Sequence, residues 1–354
     1  MKILTLVGTR PELIRLSIII EKLDTLVEHV FVYTNQNYDP KLSDIFFKEL
    51  NIRIPDYKFV NKDYNIGNFL SNSFYAFSSV LDKEQPDKVL VLGDTNSGLL
   101  AMLAAKRGIP VYHMEAGNRC FNDQVPEETN RRIIDSFSKY NLPYTENSKQ
   151  NLLNEGYHKN YVFKIGNPIY EVLKKFSNEI LHNNIMGEIG VQPGSFVLVT
   201  AHRAENVDNA DVLANIVKAI NYIAEKYTVI FPVHPRTKDK LSGFYFSNNV
   251  MLNNPIGFFD FVALERNAAV VISDSGTVQE EACIYGVPSL TIRNTTERQE
   301  TLECGSNILV GTGVSAIIEA FDIMISRDTK WTVPSDYLVE NVSDVVINIL
   351  LGGV

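Results

Sequence analysis

The 354-residue sequence has no apolar run approaching the ~18 residues that a membrane-spanning helix needs. Its opening, Met1-Lys-Ile-Leu-Thr-Leu-Val-Gly8, is too short for a secretory signal before the polar Thr9-Arg10-Pro11-Glu12. A cytoplasmic protein without a membrane partner is the expectation. Cysteine is scarce too: Cys120, Cys283 and Cys304 are widely spaced, which argues against a disulfide framework and offers no zinc ligand set. Basic residues form no dense stripe and the formal charge is −9, which argues against a general grip on nucleic acid. Also missing are a Gly-x-Gly-x-x-Gly in a strand-turn-helix setting and a Walker Gly-Lys-Ser/Thr, which disfavours nicotinamide redox chemistry and NTP hydrolysis. No cofactor and no metal are expected.

What is present is a long β/α alternation. Residues 3–7, 30–34, 88–92 and 110–114 read as strands, with helical stretches at 68–82 and 97–107 among them. A second alternation has strands at 196–200, 227–231, 269–272 and 289–292. Between the halves, Ile165-Gly-Asn-Pro168 and the polar region 173–194 have the composition of a boundary. The expected fold is α/β: two Rossmann-type, doubly wound domains facing a central cleft. The tail, 333–351, reads as a closing helix pair.

Three acids fall where elements end or begin. Asp94 ends the run Val-Leu-Val-Leu-Gly-Asp, Glu115 follows an apolar strand, and Glu127 follows Pro126 at a helix start. Parallel sheets hold ligands at the carboxyl ends of their strands, so these acids share one rim. The plainer alternative is that Glu127 merely opens a helix and Asp94 merely caps one. Near the N-terminus, Gly8-Thr-Arg-Pro-Glu12 reads as a turn into a helix whose bare N–H groups favour an anion, with Arg10 as a fork donor. In the second half His202 and His234 follow successive strands, although a lone histidine is more often structural. The run ending in Asp274-Ser275-Gly276 then opens a helix suited to a diphosphate, and Glu281 lies where a carboxylate can accept from two ribose hydroxyls. Arg236, Arg293 and Arg298 stand next to turns on the same side. A sugar nucleotide fits this set: its diphosphate is a good leaving group, and carboxylates near the sugar can move protons.

Taken together, Gly8-Thr-Arg-Pro-Glu12, Gly93-Asp-Thr95, His113-Met-Glu-Ala-Gly117, Pro126-Glu-Glu-Thr-Asn-Arg131, Thr200-Ala-His-Arg203, Asp274-Ser-Gly276, Gln279-Glu-Glu281 and Thr295-Thr-Glu-Arg298 resemble the non-hydrolysing UDP-N-acetylglucosamine 2-epimerase family. Met114 to Phe121, Gly257 to Asp260 and Asp336 to Ser343 are similar to its capsule and O-antigen branch, which includes UDP-N-acetyl-L-fucosamine synthases. The resemblance implies a GT-B-like fold with domains at 1–168 and 169–334, a C-terminal helix within 335–354 crossing back to the first, and a homodimer. It implies a UDP-sugar substrate and a reaction by elimination and re-addition of UDP, taking UDP-2-acetamido-2,6-dideoxy-L-talose to UDP-N-acetyl-L-fucosamine. It further implies that Asp94, Glu115, Glu127 and His202 are catalytic, and that Arg10, Arg15, Arg131, His234, Arg236, Ser275, Gly276, Glu281 and Arg298 bind substrate or UDP. Matching leaves open which acid takes the C2 proton.

Two positions depart from the family pattern. Arg15 stands where many members have lysine; a guanidinium holds charge well but carries protons poorly. Asn35-Gln-Asn-Tyr38 replaces the Gly-Gln-His string that forms an allosteric site in other members. Alternatives within the class are UDP-N-acetylglucosamine to UDP-N-acetylmannosamine and the L-rhamnosamine to L-quinovosamine pair. A GT-B glycosyltransferase, a hydrolysing epimerase and a non-catalytic sensor stand as alternatives beyond it.

Overall fold

The computed structural model describes residues 1–36, 40–60, 65–233 and 235–352, and for 40–44, 235 and 236 the backbone alone. The chain divides into two compact units, Met1–Lys174 together with the segment from Ser335 onward, and Lys175–Pro334.

The first unit carries a six-stranded sheet of β1 (Lys2–Val7), β2 (Glu28–Tyr33), β3 (Tyr57–Lys58), β4 (Lys88–Leu92), β5 (Val111–Met114) and β6 (Tyr140–Leu142), in the order β3-β2-β1-β4-β5-β6. The second carries β7 (Phe196–Thr200), β8 (Thr228–Pro232), β9 (Val250–Asn253), β10 (Val270–Ser273), β11 (Ser289–Thr291) and β12 (Asn307–Leu309), in the order β12-β11-β10-β7-β8-β9. Every pairing is parallel. Helices cover both faces of such sheets, so the central strands are apolar throughout rather than alternating. Val89 to Leu92 are all buried, as are Phe196 to Val199. In each sheet the winding reverses once, between β1 and β4 and between β7 and β10, and the carboxyl ends of those strands frame a crevice.

The helix Arg10–Leu26 shows how the covering works. Leu13, Leu16, Ile20 and Leu23 recur at three- and four-residue spacing and are buried, while Glu21 and Asp24 on the other side are exposed.

The expected elements shift in two places. The stretch 97–107 is a short 3-10 turn, Gly98–Ala101, followed by the helix Met102–Lys106. The tail is a 3-10 turn, Ser335–Tyr337, and one helix, Val342–Leu351, because Glu340-Asn341 interrupts what reads as a helix pair. That helix packs on Arg10–Leu26 in the first unit, where Lys22 Nζ donates to Ser343 Oγ at 2.8 Å and pairs with Asp344. The division between the two units at Lys174 and Lys175 falls within the region 173–194, which holds the end of the helix Ile169–Lys175 and the short helices Ser177–Leu181 and Ile185–Ile189. Among the described residues no helix is long and apolar enough to cross a membrane.

Candidate active site

In the first unit β1, β4 and β5 deliver their following residues to one edge of the sheet. The β1 turn enters the Arg10–Leu26 helix, and Glu12 in its first turn folds back on it. Its Oε2 accepts from the N–H groups of Gly8 at 2.6 Å and Thr9 at 2.5 Å, and its Oε1 accepts from the Thr95 hydroxyl at 2.8 Å. One carboxyl thus ties the β1 turn to the β4 turn. Burial pushes Glu12 up to about 7, against the pull of those donors.

Asp94, one residue past Gly93 at the end of β4, is gripped by Arg131 from the helix Pro126–Phe137. The guanidinium reaches Asp94 Oδ2 through Nη2 at 2.6 Å and Nε at 3.1 Å, and the Asn130 amide donates to the Asp94 carbonyl at 2.9 Å. Arg131 is fixed in turn by Glu128, whose Oε2 accepts from Arg131 Nη1 at 3.1 Å and from the Cys120 N–H at 3.0 Å. Burial alone would raise the Glu128 carboxyl, but the Cys120 N–H and the Arg131 charge hold it below the usual carboxylate range.

Glu115 follows β5 with φ at 67°, in the left-handed region that a non-glycine side chain seldom adopts. Such backbone strain clusters at functional sites. Arg15 Nη1 lies 3.2 Å from Glu115 Oε2, and Asn118 Nδ2 donates to Oε1 at 3.1 Å. The Arg15 guanidinium is buried, with its carbon 5.8 Å from the centroid of the Tyr144 ring. Gly93 lies opposite, and a Cβ there would sit 3.4 Å from Glu115 Oε2 with φ at a left-handed 75°. Both turns are therefore shaped for a carboxylate at 115. Glu127 lies half-buried in the first turn of Pro126–Phe137, and the Arg10 guanidinium carbon is 5.5 Å from the Phe46 ring centroid.

Behind these acids runs a buried support that inspection of the motifs does not disclose. The Gly93 carbonyl can only accept, so His113 Nε2 donates to it at 2.8 Å, while Nδ1 lies 2.8 Å from Asp135 Oδ1. Asp135 Oδ2 accepts from the Gly117 N–H at 3.2 Å and pairs with Arg119 at 2.8 Å. His113, Asp135 and Arg119 are all buried. The group fixes Gly93, which precedes Asp94, and both flanks of Glu115. His113 and Asp135 are 22 positions apart, and no local pattern joins them.

In the second unit the segments after β7 and β10 meet. Asp274 is fully buried, and its Oδ2 accepts from the N–H groups of His202 and Arg203, each at 2.9 Å, and from Asn206 Nδ2 at 3.0 Å. Its Oδ1 lies 3.3 Å from Nδ1 of His202, whose side chain is 43% exposed. Ser275 occupies the N-cap position of the helix Gly276–Tyr285, and its hydroxyl meets that of Thr277 at 3.1 Å. A Cβ on Gly276 would meet Glu297 Oε1 at 2.6 Å, so a larger residue there would displace that carboxylate. Glu297 is held by Arg293 at 2.9 Å, and Arg298 Nε lies 2.5 Å from Glu280 Oε1. Glu281, 4% exposed, is in the same helix.

The structure therefore brings Asp94 together with Arg131, Glu115 with Arg15, and His202 with the Asp274-Ser275-Gly276 turn. His234 lies outside the described residues, as do Asn37 and Tyr38 of the loop that departs from the family string and the side chain of Arg236. Glu128, Asn118, His113, Asp135 and Asp274 are contributors that reading for exposed ligands passes over, because each acts on a neighbour from a buried position.

The sequence from 21 to 351 matches the family described as UDP-N-acetylglucosamine 2-epimerase. The chain belongs to that family. Similar to it are the UDP-N-acetylglucosamine 2-epimerase of Methanocaldococcus jannaschii, 41% identical over 94% of this chain and 95% of that protein, and the UDP-2,3-diacetamido-2,3-dideoxy-D-glucuronate 2-epimerase of Pseudomonas aeruginosa, 36% identical over 90% and 91%. The crystal structure of the M. jannaschii enzyme in complex with UDP-GlcNAc and UDP superposes with a TM-score of 0.93 at 39% identity, covering 99% of each chain. The epimerase fold is thus two parallel-sheet units of the GT-B-like kind, and the chain is an isomerase of the UDP-sugar 2-epimerase class.

Proposed function

We propose that this epimerase inverts C2 of a UDP-2-acetamido sugar without hydrolysing it, the first unit supplying the acids and the second holding the UDP. A carboxylate takes the C2 proton, the C1–O bond breaks, and UDP leaves with its electron pair to give a 2-acetamidoglycal. A proton then returns to the opposite face of C2 and UDP re-adds at C1, so atoms and electrons balance over the cycle. The observation that carries this reading is the pair Asp94 and Glu115, at adjacent strand ends and each held by a buried arginine. An arginine fork fixes a carboxylate in orientation, which proton transfer to a bound carbon requires. His202 lies beside the turn suited to the diphosphate, where it can steady the departing charge.

Two substrates divide the support. The named activities of the M. jannaschii relative favour UDP-N-acetylglucosamine, giving UDP-N-acetylmannosamine. The strings at Met114 to Phe121, Gly257 to Asp260 and Asp336 to Ser343 favour the 6-deoxy substrate UDP-2-acetamido-2,6-dideoxy-L-talose, and the P. aeruginosa relative acts on yet another acetamido sugar. Proton NMR in D₂O with each sugar decides between them: the true substrate gains deuterium at C2 and inverts while UDP stays attached at equilibrium. Deuterium entry accompanied by free UDP and free sugar would replace this reading with a hydrolysing epimerase.

A further inference from the structure

The second unit holds an acid that neither the proposed chemistry nor the fold needs. Glu265 ends the helix Phe258–Glu265, which packs on Gly276–Tyr285. It is fully buried, and among the described residues neither of its carboxyl oxygens has a hydrogen-bond donor. What it meets is the carboxyl of Glu281, within hydrogen-bonding reach. Two buried carboxylates within hydrogen-bonding reach cannot both keep their charge, so one proton must lie between them. Burial, with the Glu281 charge adding to it, raises Glu265 well above the usual carboxylate range. The other ionisable groups facing the pair do not alter this: the Tyr285 phenol is pushed up chiefly by burial, and Arg266 is stacked on the Tyr285 ring at 5.6 Å.

We propose that Glu265 is a positioning residue, kept as the neutral acid and donating to Glu281, so that the Glu281 carboxylate is fixed as the acceptor for the vicinal hydroxyls of a ribose. This rests on the reading that the second unit holds UDP. A carboxylate accepting from a buried acid loses its freedom to rotate, and the hydroxyls then meet it already aligned. An unpartnered Glu265 would otherwise be a costly residue in an apolar setting.

Calorimetric titration of the full chain with UDP and with 2′,3′-dideoxy-UDP tests the assignment. Glu265→Gln retains an amide donor and is expected to hold the Kd for UDP within about twofold, whereas Glu265→Leu, having no donor, is expected to raise it about tenfold. The Leu variant should bind dideoxy-UDP as the wild type does. Equal weakening toward both nucleotides would mark a general structural role and overturn the proposal. So would a wild type that prefers UDP to the dideoxy form alongside a Leu variant that shows no change, and in that case the nucleotide reading would survive. A wild type that binds no UDP would remove the nucleotide reading itself. If the Leu variant does not fold, ¹³C NMR of the glutamate carboxyls decides. One carboxyl that remains protonated at pH 7 and whose signal disappears in Glu265→Gln is expected, and full ionisation of every glutamate would contradict the proposal.

Discussion

Asp94 and Asp274 stand at equivalent places, each just past the strand that flanks the winding reversal of its sheet, yet they are used in opposite ways. The Asp94 side chain is 28% exposed and is held by a guanidinium, which leaves carboxylate surface facing outward. Asp274 is fully buried and spends Oδ2 on two backbone N–H groups and an amide, so that it shapes the turn of Ala201 to Arg203 from within. One topology thus yields a rim that presents acids and a rim that presents N–H groups and a histidine. The difference comes from what satisfies the acid. Arg131 holds Asp94 from one side and leaves it open, whereas the two backbone N–H groups and the Asn206 amide that bind Asp274 enclose it.

The largest effect that would sharpen this contrast is on turnover. Asp94→Asn and Glu115→Gln are each expected to lower kcat by about 10²–10⁴-fold while leaving the Kd for UDP within a few-fold, as steady-state kinetics and calorimetry would show. A matching fall in UDP affinity would break the division of roles. Asp274→Asn should act on the fold instead: a neutral amide oxygen replaces the charged acceptor of two N–H groups and the Asn206 amide, at a cost of about 1–2 kcal/mol. Thermal unfolding should show a clear drop in Tm for this variant and little for Asp94→Asn; equal drops would erase the distinction.

Nucleotide binding comes next in size. Glu281→Ala should raise the Kd for UDP by about tenfold before it changes the rate at saturating substrate, and a purely kinetic effect would displace the ribose from Glu281. Smallest is a pH effect at Glu12, whose folded-state pKa of about 7 lies above the usual carboxylate value. A raised pKa contributes stability that is complete at low pH and is lost as pH rises through about 7. Glu12→Gln lacks that dependence, so its Tm relative to wild type should climb between pH 5 and 8. A constant difference would show that the Gly8, Thr9 and Thr95 donors outweigh the burial.

How much of this could be read beforehand follows from locality. The runs 88–92 and 196–200 announce themselves because central parallel strands are apolar at every position, and Asp94, Glu115 and Ser275 follow such runs directly. The strands Tyr57–Lys58, Tyr140–Leu142, Val250–Asn253 and Asn307–Leu309 did not announce themselves, being edge strands of only two to four residues. The supports of the site were hidden for another reason. His113 with Asp135, and Asp274 with Asn206, are side-chain pairs that join residues far apart in the chain, which leaves no periodic mark. The left-handed backbone at Glu115 is equally silent, since only its glycine neighbours carry a residue preference for φ above zero.

Cleavage of the C1–O bond is the step on which the whole account turns, and positional isotope exchange observes it. UDP-sugar carrying ¹⁸O in the bridge between C1 and the β-phosphorus would be incubated with the wild-type epimerase and followed by ³¹P NMR. The account predicts that the label moves into the non-bridging β-phosphate oxygens at a rate comparable to C2 inversion, because departed UDP can rotate before it re-adds. Inversion at C2 with the label fixed in the bridge, and with no 2-acetamidoglycal in the quenched reaction, would contradict elimination.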